Sequence, residues 1–126
     1  MQNRMGAKGR AAAKTRLTLR LDFPELGRLG PGKVRLLELV DEHGSISAAG
    51  RAMGMSYRRA WQLADELNQT FSGGVVATQQ GGQRGGGAAL TQTGKDVVRA
   101  YRAIEKKAQK AAAAEIALIA AALAEG

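Results

Sequence analysis

The chain has 126 residues, enough for one domain with an extension and for a hydrophobic core without cross-links. It contains no cysteine, which excludes a disulfide framework and a thiolate metal site. No stretch approaches the roughly 20 apolar residues of a membrane span, and no hydrophobic block after the N terminus resembles a secretory signal. The composition therefore predicts a cytoplasmic protein with no membrane partner.

The formal net charge is +8, which favours a polyanionic partner, but the basic residues are unevenly distributed. Residues 1–16 are predicted to form a disordered basic tail, and an arm that lies on DNA phosphates is the alternative. The remainder is only mildly basic, so the pattern of residues must locate any nucleic-acid site. The tail contains no acidic residue and five basic ones: Arg4, Lys8, Arg10, Lys14 and Arg16.

The first elements are a strand and a helix. Leucines alternate with polar residues over 17–22, the period of a half-buried strand, and Pro24 is expected to end that region. Pro31 lies in a glycine-rich turn that opens a helix. Over 33–43 the apolar residues form one stripe while the charged residues face away, and Gly44 supplies a C-terminal stop.

Two further helices are predicted around a three-residue turn at 54–56. Ser47 is a plausible N-cap for the first of them, which is rich in small residues that allow close packing. Ser56 is expected to cap the second, whose first turns leave Tyr57, Arg58, Arg59 and Gln62 at the surface. The core-facing residues of that helix are predicted from their spacing of three and four: Ala60, Trp61, Ala64, Leu67 and Phe71.

A hairpin and a long helix complete the predicted order. The β-branched run at 75–78 can pair with residues 88–90, and the connection at 79–87 is rich in glycine. Thr91 is expected to cap a final helix of roughly 30 residues, about 45 Å long. One domain of this size cannot cover such a helix, so part of its apolar face should pack on another chain or fray. The stripe proposed for a dimer contact contains Val97, Tyr101, Ile104, Ala108, Ile116 and Ile119.

Several motifs in this order are recognisable as a group. They are Gly44-Ser-Ile-Ser47, Met55-Ser-Tyr57, Ala60-Trp61, the glycine-rich Gly81 to Ala88, and Leu90-Thr-Gln-Thr-Gly94. Over about residues 17–110 they resemble the N-terminal DNA-binding domain of the ModE family of molybdate-responsive transcription regulators. The wider resemblance is to the helix-turn-helix of LysR-type regulators.

The resemblance implies a mainly α fold: a winged helix-turn-helix with a short N-terminal strand, a β-hairpin wing and a long C-terminal dimerisation helix. The expected divisions are the tail at 1–16, the DNA-binding domain at 17–91 and the dimerisation element at 92–126. It also implies a bacterial homodimer on a palindromic operator. The resemblance also suggests a link to molybdate metabolism. The β-rich C-terminal oxyanion-binding domains of the family have no counterpart here, so no bound cofactor is expected, and the sequence leaves open whether molybdate is sensed.

The predicted DNA contacts centre on the start of the third helix, where free N–H groups and the helix dipole favour a phosphate. Two arginines, Arg58 and Arg59, each suit guanine or a phosphate, and the sequence does not distinguish them. Tyr57 suits a phosphate, a thymine methyl or a half-buried position, and Gln62 suits adenine or solvent. Trp61 is assigned to the core. The full predicted set is Ser47, Ser56, Tyr57, Arg58, Arg59, Gln62, Arg84 in the wing, and Lys95.

An enzyme is not expected. Gly94-Lys95 is followed by Asp96 rather than Ser or Thr, so the phosphate-loop pattern fails. His43 is the sole histidine, and with no cysteine it cannot complete a typical metal site. The leading hypothesis is a sequence-specific, double-stranded-DNA-binding transcription regulator. The alternative is an interaction module that pairs with a full-length regulator, and a weaker third is non-specific nucleic-acid binding by the tail.

Overall fold

The computed structural model of the protein describes residues 12–79 and 87–124. They fall into two compact units, one formed by Leu19–Arg102 and the other by the described residues on either side of it. The strands are β1 (Leu21–Phe23), β2 (Gly27–Leu29), β3 (Val76–Gln79) and β4 (Gly87–Leu90). The helices are α1 (Pro31–His43), α2 (Ile46–Ala52), α3 (Tyr57–Thr70), α4 (Gln92–Ala111) and α5 (Ala113–Ala121).

The fold class predicted from the sequence is wrong. The described residues form a mixed α/β structure with two separate antiparallel sheets of two strands each, not a mainly α winged helix-turn-helix with one N-terminal strand. The region at 17–22 contributes a strand only from Leu21, and it pairs with β2, which the sequence pattern did not predict. Glu25 in the turn between them has φ 66° and Gly27 at the start of β2 has φ 126°, so the chain reverses into a second strand where the prediction had only a glycine-rich turn before the helix.

The single long C-terminal helix is also a wrong prediction. α4 ends at Ala111 and α5 begins at Ala113, with Ala112 between them at φ −100° and ψ 10°. No proline or glycine marks this break, and alanine favours continuation of a helix. Sequence spacing alone therefore gave no reason to divide it.

Helix α1 supplies five of the sixteen buried residues in the core of the Leu19–Arg102 unit. The predicted apolar stripe is confirmed, since Val34, Leu36, Leu37 and Val40 are all buried. Pro31 stands in the first turn, where its missing N–H removes no helix hydrogen bond. Gly44 ends the helix as predicted, in the left-handed conformation at φ 69°, with its N–H donating to the Val40 carbonyl at 2.8 Å.

Helices α2 and α3 pack very closely around Gly50. A Cβ on that glycine would lie 2.6 Å from the Ala60 Cβ, so only glycine permits this approach. The cap of α2 is Ser45, whose hydroxyl accepts from the Ala48 N–H at 3.1 Å. The predicted cap, Ser47, is wrong because it already lies inside α2. Ser56 caps α3 as predicted and accepts from the Arg59 N–H at 3.0 Å.

The β3–β4 hairpin agrees closely with the sequence pattern, with Val76 opposite Leu90 in an antiparallel register. Asn68 of α3 fixes one strand: its Oδ1 accepts from the Val75 and Val76 N–H groups at 2.8 and 2.9 Å, and its Nδ2 donates to the Val76 carbonyl at 2.9 Å. The other strand is held by α1, since the Ala88 N–H donates to the Gly44 carbonyl at 2.9 Å. The hairpin is therefore positioned by two different helices.

Helix α4 is attached to the same unit at its beginning. Thr91 caps it as predicted, because its hydroxyl accepts from the Gly94 N–H at 3.0 Å. Further along, Arg102 donates two hydrogen bonds to Glu38 of α1, at 3.0 and 2.8 Å. These bonds and the positive charge of Arg102 hold the pKa of Glu38 below its ordinary value, against the opposing effect of partial burial. Within residues 12–79 and 87–124, no helix is long and apolar enough to span a membrane.

Candidate nucleic-acid interface

Helix α3 presents four distinct faces. Its buried face contains Ala60, Ala64 and Leu67, which pack in the core. At 100° per residue, the opposite face contains Arg58 and Gln62 and points away from the core. The two flanks between these faces differ in chemistry, and each borders its own cavity.

The outward face carries two of the predicted DNA contacts. The side chains of Arg58 and Gln62 are exposed, and neither forms a hydrogen bond or an ion pair with any residue that the structure describes. Four residues separate them, so they stand one above the other near the start of the helix. Their donor and acceptor groups are therefore available to an external partner.

The first flank, called here the aromatic flank, consists of Tyr57 and Trp61. Their ring centroids are 6.0 Å apart at an interplanar angle of 50°. Tyr57 is 67% exposed and Trp61 is 40% exposed, so the assignment of Trp61 to the core is wrong. The sequence spacing suggested burial because it grouped Trp61 with Ala64. Around the helix, however, Trp61 lies 60° away from Ala64, on the side of the β3–β4 hairpin.

A cleft of about 320 Å³ adjoins the aromatic flank. It lies between the start of α2, the start of α3 and the β3–β4 hairpin. The hydroxyls of Ser45, Ser47 and Thr78 and the amide of Gln79 supply polar groups beside the two rings. The cleft therefore combines apolar surface with neutral hydrogen-bonding groups, and none of the described residues that line it carries a charge.

The second flank, called here the cationic flank, begins with Arg59. This arginine borders a cavity of about 370 Å³ together with Arg28 of β2 and Lys33 of α1. Within the part of the chain that the structure describes, Glu66 is the one acidic residue that lines this cavity. Sequence reasoning did not select Arg28 or Lys33. They are far from Arg59 along the chain, and only the unpredicted β1–β2 hairpin brings Arg28 to this position.

The remaining predicted contacts lie elsewhere. Ser47 lines the aromatic cleft, and Ser56 is exposed at the start of α3. Lys95 is exposed but borders a third cavity of about 240 Å³ with Glu38 and Asp41, so the structure does not bring it beside α3. Arg84 lies outside the described residues. In the described part of the chain, no group of three or more His, Cys, Asp or Glu residues could hold a metal ion.

The predicted dimerisation stripe divides into two sets. Val97 packs against the core of the Leu19–Arg102 unit, and Tyr101 is only 1% exposed, with its hydroxyl donating to the Leu19 carbonyl at 2.7 Å. These two side chains therefore pack inside their own unit and are not exposed for contact with a second copy of the chain. The others are half-buried or exposed: Ala108 and Ile116 are half-buried, whereas Ile104 and Ile119 are exposed. Leu118, which was not predicted, is 74% exposed.

Comparison with known proteins links the chain to proteins concerned with molybdenum. No protein-family model matches it. It is 44% identical over 78 residues to the molybdenum-pterin-binding protein MopB of Rhodobacter capsulatus. The aligned residues make up 62% of this chain and 29% of MopB.

Two further relatives bear a different name. The chain is 37% identical over 83 residues to the molybdenum transport protein ModE of Azotobacter vinelandii, covering 66% of this chain and 31% of the relative. It is 36% identical over 81 residues to the DNA-binding transcriptional dual regulator ModE of Escherichia coli K12, covering 64% and 31%. The chain thus matches less than a third of the length of each, and their names describe the whole proteins.

Proposed function

We propose that this chain is a DNA-binding module of a transcription regulator, and that the start of α3 enters the major groove of duplex DNA. The observation that supports the proposal is the exposed row of Arg58 and Gln62, which has no partner among the described residues and is flanked by two further sets of polar or aromatic groups. In proteins that use a helix pair to read DNA, the first residues of the second helix contact the base edges. The similarity to a DNA-binding regulator agrees with this role.

The outward residues are proposed to read the bases. Arg58 can donate two hydrogen bonds to O6 and N7 of guanine, and Gln62 can pair with N6 and N7 of adenine. The hydroxyl of Ser56 is already used as a cap, but the N terminus of α3 still favours a phosphate. The aromatic flank suits a thymine methyl or a deoxyribose. The role is binding rather than catalysis, with no cofactor.

The test begins by selecting bound duplexes from a random DNA library. Affinity is then measured for a selected duplex and for a scrambled duplex of equal length, using wild type and Arg58→Ala. We expect Arg58→Ala to lower the preference for the selected duplex by roughly tenfold or more, since a lost bidentate contact costs about 1–3 kcal/mol. Circular dichroism should show an unchanged fold because the side chain is exposed.

Arg99→Ala is the matched control. It removes the same charge from an exposed arginine of α4 that pairs with Asp96 at 2.6 Å and borders a cavity with no residue of α3. The control should weaken binding to both duplexes equally and slightly. Failure of wild type to enrich any sequence, or an Arg58→Ala variant with the wild-type preference, would contradict the proposal.

We further propose that the chain forms a homodimer through the apolar residues of the second unit. Ile104, Leu118 and Ile119 are exposed there, and burying such side chains against a second copy would stabilise association. Sedimentation equilibrium should give a dimer, and Leu118→Lys with Ile119→Lys should shift it to a monomer. A monomeric wild type that instead captures a full-length regulator would support the alternative role as an interaction module.

The proposed pathway is molybdenum metabolism. The names of the relatives support it, since they describe molybdenum transport and molybdenum-pterin binding. Mapping the selected DNA sequence onto the genome tests this point. The proposal predicts a site upstream of genes for molybdenum uptake or use.

A further inference from the structure

The cavity beside the cationic flank contains three basic side chains from three different elements. Arg28 belongs to β2, Lys33 to the first turn of α1 and Arg59 to the first turn of α3. Glu66 is the one carboxylate among the described residues that line it. The cationic cluster, defined as Arg28, Lys33 and Arg59, therefore leaves a formal excess of two positive charges over those residues. Three positive charges therefore lie around one cavity, whereas acidic and basic residues are mixed over the rest of residues 19–102.

Lys33 is held in place by the protein itself. Its Nζ donates to the Arg28 carbonyl at 3.1 Å and lies 3.9 Å from the Glu66 carboxylate, and the side chain is only 19% exposed. The second distance is long for an ion pair, and Glu66 is itself half exposed, so its compensation of the charge is weak. An anion that binds here therefore meets an ammonium group whose conformational entropy has already been lost.

Arg28 and Arg59 retain their donors. Asp22, which lies opposite Arg28 in the β1–β2 register, pairs instead with Arg20 at 2.7 Å. Neither guanidinium forms a hydrogen bond or an ion pair with another residue of the described chain. Both side chains are exposed, so each can present two parallel N–H groups to an oxyanion.

The wall that carries Arg28 is fixed to α3. The Thr70 hydroxyl lies 2.9 Å from the Leu26 carbonyl in the turn before β2. Phe23 of β1 packs edge-on against Phe71 at the end of α3, with centroids 5.7 Å apart. The β1–β2 hairpin is thus attached near the C-terminal end of α3, while Arg59 stands near its start. The backbone positions from which the three cations extend are therefore set by packed helices and strands.

We propose that Arg28, Lys33 and Arg59 together bind a single backbone phosphate of the DNA whose bases meet Arg58 and Gln62. This inference depends on the proposed function and adds to it, because it assigns Arg59 to the backbone and leaves Arg58 as the base contact. The cluster adjoins the outward face of α3, so one duplex reaches both. A phosphodiester of that duplex carries one negative charge, opposite in sign to the formal excess of positive charge at the cavity.

The test is the salt dependence of duplex binding. The logarithm of the affinity is measured against the logarithm of the salt concentration for wild type and for Arg28→Ala with Arg59→Ala, on the selected and the scrambled duplexes. A cluster that holds one phosphate predicts that the slope decreases by about one and that both affinities fall by the same factor, roughly tenfold or more. Arg99→Ala, with one charge removed elsewhere, serves as the control and should leave the slope nearly unchanged.

Three results would overturn the inference while leaving the proposed function in place. An unchanged slope would show that the cluster contacts no phosphate, and a decrease of about two would show two separate phosphates. A loss of preference for the selected duplex in Arg59→Ala alone would make Arg59 a base contact.

A separate experiment tests whether the cavity binds inorganic phosphate in the absence of DNA. If calorimetry shows that phosphate binds the free protein and that Arg28→Ala with Arg59→Ala abolishes this binding, the cavity is a site for a small oxyanion, which also overturns the inference. If wild type binds no duplex at all, the proposed function fails and the phosphate assignment fails with it.

Discussion

The two flanks of α3 belong to one short helix but differ in chemistry. The aromatic flank, Tyr57 and Trp61, faces the β3–β4 hairpin across a cleft whose described lining residues carry no charge. The cationic flank, in contrast, places Arg59 beside β2 and α1 at a cavity lined by three cations. Each flank is completed by a different hairpin. The difference shows that the local sequence of α3 supplies one part of each surface and that the tertiary structure supplies the rest.

The two flanks should also differ in how they respond to salt. Contacts between cations and phosphates release counterions and weaken as salt rises, while contacts of aromatic rings with sugars or methyl groups do not. If both flanks touch the same duplex, variants of one should change the salt dependence of binding and variants of the other should change only its strength.

The largest effect is expected from Gly94→Ala, which should displace the start of the β3–β4 hairpin that faces the aromatic flank. A Cβ at this position would overlap the carbonyl of Val75, and a backbone group cannot rotate away. The start of β3 must therefore shift, at a cost of about 3 kcal/mol in the free energy of unfolding. Urea denaturation followed by circular dichroism measures the change.

Trp61 is the sole tryptophan of the chain, so its fluorescence reports on the cleft beside the aromatic flank and shows whether Gly94→Ala changes that cleft. Iodide should quench its fluorescence more strongly in Gly94→Ala. Gly32→Ala is the matched control, since a Cβ there meets nothing within 4 Å and the position lies in a helix. The control should be neutral or slightly stabilising. Equal urea midpoints for the two variants would contradict the close approach of Gly94 to Val75.

A smaller effect is expected from Asn68→Ala, which removes three hydrogen bonds between α3 and the start of β3. Two N–H groups lose their acceptor, so we expect a loss of about 2 kcal/mol in stability. Asn68→Asp keeps the acceptor and should cost less. Gln69→Ala, an exposed neighbour whose side chain bonds only to Asp65 among the described residues, should change stability by no more than about 0.5 kcal/mol. A Gln69 effect equal to that of Asn68 would count against this role of Asn68.

The sequence was sufficient for features that depend on local chemistry. Ser56, Gly44 and Thr91 were identified as caps because each requires only a side chain or backbone preference within a few residues, and the stripe of α1 follows from its period. The β1–β2 hairpin was missed because its second strand has three residues and begins with a glycine. Arg28 and Lys33 were missed for the same reason, because they lie beside Arg59 only through contacts between residues far apart in the sequence.

Errors also arose where the sequence predicted the right element but placed a residue slightly wrongly around it or along it. Trp61 falls at a spacing that suggests burial, yet a displacement of 60° around α3 is enough to bring it to the cleft. Ser45 rather than Ser47 caps α2, because either serine suits the motif and only the backbone conformation selects one. Such differences of one or two positions decide which side chains reach a partner.

The smallest expected effect is that of Trp61→Ala on DNA affinity. The ring is partly exposed and contacts Tyr57, so its truncation should weaken duplex binding by about fivefold, which corresponds to about 1 kcal/mol. Because no charge is removed, the slope of affinity against salt should equal that of wild type. Trp61→Phe retains a ring and should recover most of the affinity. A reduced salt slope in Trp61→Ala would mean that the aromatic flank also positions a phosphate contact, and the separation of the two flanks into a salt-independent and a salt-dependent surface would then be wrong.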